Sequence, residues 1–272
     1  MLKKLLSLTS LLLLVACSTQ TTTSSGNEPF VVGMECGYAP FNWLQSNQDE
    51  DSVFVESSNG YCKGYDVTVA KHIADELDRP LVIKVVSWEG LIPALNSNSI
   101  DAIIAGMSYR PDRAEQVAFS DPYYFSDYVL IVPKDSPFVS ATSLDDFKGA
   151  KIVGQLGTNY DTIIDQMTEV DHLPALNSYP LIVNALNTGA ADGAPAEKPT
   201  AESIIATNPN LTYVEFEEGL GFTQDEEVTT EVSIALRKQD TQLLEEINTI
   251  LNNLDQNQRD TWMKQAIESP QE

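Results

Sequence analysis

From about residue 29 onward, short apolar runs alternate with longer segments in which apolar residues recur every three or four positions. Three of the runs predict buried strands, over residues 29–34, 81–86 and 100–105. Between the first two strands, the spacing predicts an amphipathic helix that Asp66 caps and that ends at Arg79. Alternating strands and helices predict an α/β protein with mainly parallel sheets, in which ligands bind at the carboxyl ends of the strands.

The second half of the chain repeats this alternation after a connector. Residues 128–132 predict a strand that leaves a first lobe, and residues 133–137 predict the connection to a second. The further predicted elements are strands over 151–154 and 191–196, helices over 162–167 and 181–186, a returning strand over 232–237 and two C-terminal amphipathic helices. The pattern therefore predicts a discontinuous first lobe, residues 29–132 plus 233–272, and a second lobe with its hinge segments over residues 133–232.

The stretch from Ile100 to Tyr124 brings polar groups to the end of a strand. Gly106 ends the apolar run, Ser108 follows, and Pro111 begins a short predicted helix that carries Arg113. Backbone N–H groups and a planar guanidinium together suit a carboxylate, because arginine can donate to both of its oxygens. The alternative is that Arg113 is an ordinary surface arginine of a helix.

The first sixteen residues have the composition of a secretory signal peptide. Lys3 and Lys4 precede an apolar run from Leu5 to Ala16 that is too short for a permanent membrane span. The sequence Leu-Val-Ala-Cys ending at Cys17 resembles the bacterial lipobox, which predicts cleavage before Cys17 and its lipidation. Residues 17–28, rich in Ser and Thr, would then be a lipidated flexible tether. The alternative is ordinary secretion with an incidental cysteine.

The formal charge, the cysteines and the histidines limit which partners, disulfides and metal sites are expected. The 272-residue chain carries a formal charge of −24, and this acidity argues against a nucleic-acid partner. Cys36 and Cys62 form an even remainder that permits one disulfide, the alternative being two unpaired small apolar side chains. The two histidines, His72 and His172, lie far apart, so no metal site and no cofactor are predicted.

Several ordered segments of the chain resemble one protein family. They are GMECGYAPF from Gly33, GYDVTVAKHIADEL from Gly64, WEGLIPALNSNSIDA from Trp88, MSYRPDRAEQVAFSDPYY from Met107, GQLGTNYD from Gly154 and ADGAPAEKPTA from Ala191. In this order they resemble the extracytoplasmic solute-binding proteins, family 3, that serve polar amino-acid ABC importers. The resemblance covers nearly the whole chain after residue 29. It implies a two-lobed, periplasmic-binding-protein-like type II fold, in which helices flank each sheet and two hinge connections join the lobes.

The resemblance also implies a ligand site. In the family, the arginine at the position of Arg113 binds the ligand's α-carboxylate, helped by the backbone N–H at the position of Ser108 and by the turn at Thr158 and Asn159. The carbonyl of Gly106 and an acid of the second lobe take the α-ammonium. Glu197 occupies that acidic position, where aspartate is more usual, and its extra methylene lengthens the reach. The alternative is a solvated glutamate. The family also brings the regions of Cys36 and Cys62 near each other.

Three further positions are expected to select the ligand's side chain. Tyr38 and Trp88 match positions where the family places aromatic or apolar walls, although each could instead fill the core. A carboxylate at Glu35 would favour a cation between those rings. We therefore predict a cationic L-amino acid, with arginine ahead of lysine, ornithine and histidine.

The expected protein is not an enzyme but a membrane-anchored, monomeric substrate-binding lipoprotein. Closure of the lobes around the amino acid, at hinges near residues 132–133 and 230–233, would let it deliver its ligand to an ABC permease and its ATPase. The alternatives are a binding protein for a neutral polar amino acid such as glutamine, or a same-fold enzyme of the prephenate or arogenate dehydratase type. The ligand-sensing domain of a receptor would also share the fold, and an adhesin-like or partner-binding lipoprotein is a further alternative.

Overall fold

The computed structural model describes residues 28–224 and 229–269 of the chain. The predicted signal peptide, Cys17 and nearly all of the tether lie outside these residues. The strands are β1 (Phe30–Met34), β2 (Gly37–Tyr38), β3 (Asn42–Gln45), β4 (Val53–Val55), β5 (Gly60–Lys63), β6 (Leu81–Val85), β7 (Ala102–Ile103), β8 (Ala118–Tyr124), β9 (Tyr128–Pro133), β10 (Lys151–Ile152), β11 (Asp171–His172), β12 (Ala194–Glu197), β13 (Leu211–Val214) and β14 (Val232–Leu236). The α-helices are α1 (Tyr65–Glu76), α2 (Leu91–Asn96), α3 (Pro111–Ala114), α4 (Asn159–Thr162), α5 (Tyr179–Asn187), α6 (Lys198–Thr207), α7 (Thr241–Asn253) and α8 (Gln256–Glu268).

The first lobe is built on a five-stranded sheet in the order β6-β1-β7-β14-β8. Strand β1 runs parallel to both of its neighbours, and its central residue Val32 pairs with Ile83 and Ala102. Strand β14 is antiparallel to β7 and β8. Because β1, β6 and β7 run in the same direction, their carboxyl ends meet at one edge of the sheet, where the chain continues into Glu35, the Trp88 turn and Gly106.

Residues 37–63 form a second, smaller sheet of the first lobe, in the order β2-β3-β5-β4. A disulfide joins Cys36, just after β1, to Cys62 in β5, with 5.8 Å between the Cα atoms. Both cysteines are buried. The bond therefore ties the small sheet to the cleft end of the main sheet.

The prediction that Asp66 caps α1 is wrong. Gly64 is the N-cap, with a φ of +129°, and a Cβ there would collide with the carbonyl of Phe41. Asp66 is the second residue of α1 and is fully buried, where it accepts hydrogen bonds from Asn42 Nδ2 at 2.8 Å and Tyr123 Oη at 2.6 Å. Its carboxylate thus links two buried side chains and does not cap the N-terminus of the helix.

The second lobe carries the sheet β12-β9-β13, in which β9 is antiparallel to both neighbours. The pair β10 and β11 continues it, since Ile152 bridges to Gly193 in parallel orientation. A separate core of Leu130, Val132, Phe147, Ile152 and Ile164 packs on it. Each lobe therefore has its own sheet, and together they give the expected mixed α/β architecture.

The boundary predicted at residues 132–133 lies too late in the chain. Strand β9 pairs only within the second-lobe sheet, so the chain crosses between lobes before Tyr128. The return crossing precedes β14, and the two crossings touch where Ser126 N donates to Thr230 Oγ1 at 3.4 Å. A uniformly apolar run such as YVLIV marks a strand buried on both faces, but it cannot show which sheet that strand joins.

Two helices differ from their predicted bounds. The helix predicted over 162–167 begins earlier, as α4 at Asn159, and continues as a turn of 3₁₀-helix over Ile163–Gln166. The Thr158 hydroxyl accepts from the backbone N–H of Tyr160, and this cap fixes the start. The helix after Pro111 is a single turn, α3. Both short helices stand at the edge of the cleft.

Candidate functional site

A cavity lies between the lobes, where the carboxyl ends of β1 and β7 face the start of α4. Its lining comes from Glu35, Tyr38, Trp88, Gly106, Ser108, Arg113, Gln155, Thr158, Asn159 and Tyr160. The structure thus brings together every predicted ligand residue except Glu197. Segments that are more than a hundred residues apart in the chain meet here because parallel strands end at a common edge in each lobe.

Arg113 is the buried cation of this cavity, with 5% of its surface exposed. Its Nη1 donates to the carbonyl of Ser108 at 2.7 Å, and its Nη2 donates to the carbonyl of Gly157 in the second lobe at 2.9 Å. The guanidinium also lies 5.1 Å from the centre of the Trp88 ring. Burial lowers the pKa of Arg113 to about 10, which leaves it charged at neutral pH. It is therefore not an ordinary surface arginine.

The carbonyl of Gly157 is a meeting point for donors of the first lobe. Besides Arg113, it accepts from Trp88 Nε1 at 3.3 Å and from Arg110 Nη1 at 3.4 Å. Gly157 has a φ of +71°, in the left-handed region, and a Cβ would collide with the Glu89 carboxylate. A glycine therefore suits this position best, both for the left-handed turn and for the approach of the opposite lobe.

Thr158 and Asn159 line the cavity, but their side chains also serve the turn. The Thr158 hydroxyl caps α4 and donates to the carbonyl of Gln155 at 2.7 Å. Asn159 Nδ2 donates to the carbonyl of Thr229, at the return crossing between lobes, at 3.0 Å. Its Oδ1 is buried and has no hydrogen-bond partner among the described residues. The turn is therefore rigidly held, and it retains an unused acceptor.

Glu35 faces the opposite lobe directly. Gln155 Nε2 lies 3.2 Å from its Oε2 and 3.4 Å from its Oε1. Burial raises the pKa of Glu35, while the hydrogen bonds from Gln155 and from the backbone of Trp88 oppose that shift. The cavity therefore presents a half-buried acid at the position expected to select the ligand's side chain.

Tyr38 is held in an aromatic cluster at the floor of the cavity. Its ring stacks on Phe41 with centroids 5.2 Å apart and tilts onto Tyr179 at 4.9 Å. Its hydroxyl lies 2.9 Å from the Tyr160 hydroxyl of the second lobe. Tyr38 thus packs in the core and lines the cavity at once.

Glu197 ends β12 and is fully buried, but it does not line the cavity. The Tyr160 hydroxyl donates to its Oε1 at 2.5 Å, and its Oε2 has no hydrogen-bond partner among the described residues. Burial raises the pKa of Glu197 to about 8, and the nearby Asp66 adds to that rise. The interpretation of Glu197 as a solvated glutamate is wrong, because its side chain is fully buried at the end of β12 and is hydrogen-bonded to Tyr160.

Two residues of the cavity, Gln155 and Tyr160, are absent from the predicted set. Both belong to the segment GQLGTNYD, which contains the predicted turn at Thr158 and Asn159. Their closeness to Gly157 in the sequence is the signal that could have identified them. Gln155 lies just after the strand that ends at Ile152, and Tyr160 is the second residue of α4. Neither residue type is diagnostic by itself.

The histidines lie outside the cavity. His72 packs its ring against Trp262, and His172 contacts Asp161 and Asp165. Over residues 28–224 and 229–269, no group of three or more His, Cys, Asp and Glu side chains is arranged to hold a metal ion. The helices in the same ranges include none with the length and apolar character that a membrane span requires.

The family is decided by comparison with known proteins. The sequence model of the bacterial extracellular solute-binding proteins, family 3, matches residues 30–265. The chain belongs to this family. Its members are extracellular or periplasmic solute-binding proteins and not enzymes, which rules out the dehydratase alternative and confirms the resemblance on which the site was predicted.

Named relatives bind amino acids. This solute-binding protein is 28% identical to "ABC transporter arginine-binding protein 1" of Escherichia coli K12 over 85% of this chain and 87% of the relative. It is 31% identical to "Probable histidine-binding protein" of Campylobacter jejuni over 78% and 80%. The solved arginine-bound form of truncated ArgBP from T. maritima is 33% identical, with a TM-score of 0.68 over 85% of this chain and 97% of that one. The two-lobed fold is thereby confirmed.

Proposed function

We propose that this solute-binding protein captures a cationic L-amino acid, with arginine ahead of lysine, ornithine and histidine, and delivers it to an ABC permease and its ATPase. The observation that carries the proposal is the buried guanidinium of Arg113 in a cavity that both lobes build, with the acid Glu35 in the same lining. A zwitterion with a cationic side chain needs a cation to bind its α-carboxylate, and it needs an acid for its side chain besides the one for its α-ammonium.

Arg113 would hold the α-carboxylate. Its guanidinium already donates to two neutral carbonyls, of Ser108 and Gly157. A carboxylate is a better acceptor for a guanidinium than a carbonyl, because it carries the opposite charge and can take two parallel N–H bonds at once. A ligand carboxylate would therefore take over donors that now reach the opposite lobe, and the Thr158 turn would add backbone donors at the start of α4.

Glu35 would select the ligand's side chain. A guanidinium or ammonium that reached it would replace the amide of Gln155 as its partner and would favour the charged form of the carboxylate, against the effect of burial. Trp88 and Tyr38 lie beside it in the lining and offer aromatic faces to a cation. The arginine and histidine named in the relatives' titles support a cationic ligand.

Closure of the lobes would couple these contacts to transport. The hydrogen bonds from Arg113 and Trp88 to Gly157, and from Gln155 to Glu35, all cross from one lobe to the other. A ligand held by residues of both lobes stabilises only the closed arrangement, so it shifts the population toward closure. The hinge would be the adjoining crossings at Ser126 and Thr230.

The anchor of the protein is also proposed. Cleavage before Cys17 and its lipidation would tether a monomeric binding protein to the outer face of the bacterial cell membrane, through the linker that precedes β1. Mass spectrometry of the protein extracted with detergent should find a diacylated cysteine at the N-terminus. A mature N-terminus at any other residue would contradict the anchor.

A thermal-shift screen of the purified protein against the amino acids tests the ligand. A ligand that binds only the folded state raises the melting temperature by mass action, so L-arginine should give the largest shift. Calorimetric titration should then give one site per chain. Tight binding of glutamine or of an acidic amino acid, with no binding of L-arginine, would overturn the cationic assignment and favour the neutral alternative.

A further inference from the structure

Tyr160 separates Glu197 from the cavity. The tyrosine lines the cavity, whereas the glutamate does not, and the Tyr160 hydroxyl lies 2.5 Å from Glu197 Oε1. On its other side the same hydroxyl lies 2.9 Å from the hydroxyl of Tyr38 in the first lobe. The three side chains form one hydrogen-bonded chain that crosses between lobes at the floor of the cavity.

We infer that Tyr160 is the residue that meets the ligand's α-ammonium, and that Glu197 acts on the ligand through Tyr160. This inference rests on the proposed function, since it concerns how the amino-acid ligand's backbone end is held. A tyrosine hydroxyl donates one proton and accepts at its oxygen. When the Tyr160 proton goes to Glu197, the Tyr160 oxygen accepts from the Tyr38 hydroxyl, and an ammonium N–H can share or take over that acceptor.

The surroundings of Glu197 support an indirect role. The carboxylate is fully buried, and the titratable groups that face it are Asp66, Tyr38, Tyr124, Tyr160 and Tyr179, none of which carries positive charge. A buried carboxylate in such a setting is costly unless a cation approaches. An ammonium on the cavity side of Tyr160 would supply that charge through the hydroxyl, and the unpartnered Oε2 leaves Glu197 free to adjust.

Tyr38 closes the remaining path to the acid. Its ring lies so close to Gly106 that a Cβ on that glycine would stand 2.9 Å from Tyr38 Cε1. Gly106, Tyr38 and Tyr160 therefore adjoin one another in the cavity lining, and Glu197 lies behind the Tyr160 hydroxyl. A longer acid than aspartate suits this arrangement, since its carboxylate extends into the tyrosine cluster.

The test is a double-mutant cycle with the full-length mature protein. The variants are Tyr160→Phe, Glu197→Gln and the pair together, titrated with L-arginine and with L-argininic acid, which carries a hydroxyl in place of the α-amino group. Each single change should weaken L-arginine binding by about 10- to 100-fold, the range for a hydrogen bond to a charged group. The double variant should lose little more affinity for L-arginine than the single variant with the larger loss. With L-argininic acid, the loss of affinity in each variant should shrink to about twofold.

The matched control is Tyr179→Phe. Tyr179 packs 5.8 Å from Tyr160, but its hydroxyl donates to the backbone carbonyl of Pro195 at 2.8 Å and not to Glu197. Removing this hydroxyl should leave L-arginine affinity within about twofold. The melting temperature of each variant separates a folding defect from a binding defect, and retained binding of L-argininic acid by Tyr160→Phe shows that its cavity is intact.

Two results would overturn the inference. Additive losses in the cycle would mean that Glu197 meets the ammonium independently of Tyr160. Unchanged or tighter binding by Tyr160→Phe, with a loss in Glu197→Gln, would mean that the tyrosine merely competes for the acid. If the wild-type protein binds L-glutamine and not L-arginine, the same cycle is run with L-glutamine and its α-hydroxy analogue. Binding of no amino acid by the wild type would instead refute the proposed function.

Discussion

The Nη2 atom of Arg113 donates a 2.9 Å hydrogen bond to the carbonyl oxygen of Gly157, and this single contact joins the first lobe's one-turn helix to the second lobe's turn. The surroundings of both residues favour this hydrogen bond. The arginine is buried beside Trp88, and the glycine adopts a left-handed backbone that admits the opposite lobe. The guanidinium that we propose as the receptor for the ligand's carboxylate is therefore also the one that bridges the two lobes.

Replacing Arg113 with lysine should weaken amino-acid binding by about 100-fold. The charge is kept, but the planar fork that can meet both carboxylate oxygens is lost, and each charge-assisted bond contributes about 1.5–3 kcal/mol. Isothermal titration measures the loss. Arg79→Lys is the control, because Arg79 is a partly buried arginine paired with Asp101 at 2.9 Å, outside the cavity lining. Equal affinity in Arg113→Lys and the wild type would show that the fork is not used.

Gly157→Ala should weaken binding by about tenfold without unfolding the protein. The added methyl meets the flexible end of Glu89, and the left-handed backbone costs an alanine about 1 kcal/mol. Circular dichroism should be unchanged while the dissociation constant rises. As a control, Gly149→Ala also has a positive φ, but a Cβ there meets nothing within 4 Å. A similar loss of affinity in both variants would place the effect outside the cleft.

The stability of the ligand-free protein should fall as the pH rises from 6 to 8, and Glu197→Gln should remove much of that fall. Burial raises the pKa of Glu197 from 4.5 to about 8, so the folded state binds a proton that the unfolded state has released. Stability from a raised pKa is fully present below the unfolded value and is lost as the pH approaches the folded value. Over two pH units the loss is at most about 3 kcal/mol.

Denaturant unfolding at pH 6, 7 and 8 measures this slope in both proteins. Asp66, whose pKa burial raises to about 6, contributes mainly below this window. Parallel curves for the wild type and Glu197→Gln would contradict the protonation of Glu197 at neutral pH.

Ligand binding near pH 7 should release protons. An ammonium near Glu197 favours its charged form, so the pKa of the carboxyl falls on binding and its proton leaves to solvent. Titrations of L-arginine in buffers of different ionisation enthalpy should give apparent binding enthalpies that vary with the buffer. In Glu197→Gln this dependence should largely vanish. Buffer-independent enthalpies in the wild type would show that the acid's charge does not change.

Removing the disulfide should destabilise the first lobe. Cys36 and Cys62 are 26 residues apart, and closing a loop of that length is worth about 3–4 kcal/mol through the entropy of the unfolded chain. The paired Cys36→Ser, Cys62→Ser variant should melt roughly 10 °C lower. Reduction of the wild type should lower its melting temperature similarly and leave the double variant unchanged. A wild-type protein whose thiols react freely before reduction would contradict the bond.

Much of the cavity was predictable because its residues belong to local segments with recognisable order. Gly106, Ser108 and Arg113 follow a strand within a few positions, and the Gly157 turn marks Thr158 and Asn159. Two cavity residues, Gln155 and Tyr160, are not among the predicted ones, although they lie inside the segment GQLGTNYD that resembles the family. Their side chains gain their roles only from partners more than thirty residues away, namely Glu35 and Glu197.

The sequence by itself determined the alternation of strands and helices, the family and the polar groups at the ends of the strands, because these follow from local periodicity and ordered motifs. The tertiary structure decided that β9 joins the second lobe, that Asp66 is buried instead of capping a helix, and that Tyr160 stands between Glu197 and the cavity. Each of these depends on which distant surfaces pack together. A local pattern encodes that a side chain is buried or polar, but the partner it finds is set by packing across the whole fold.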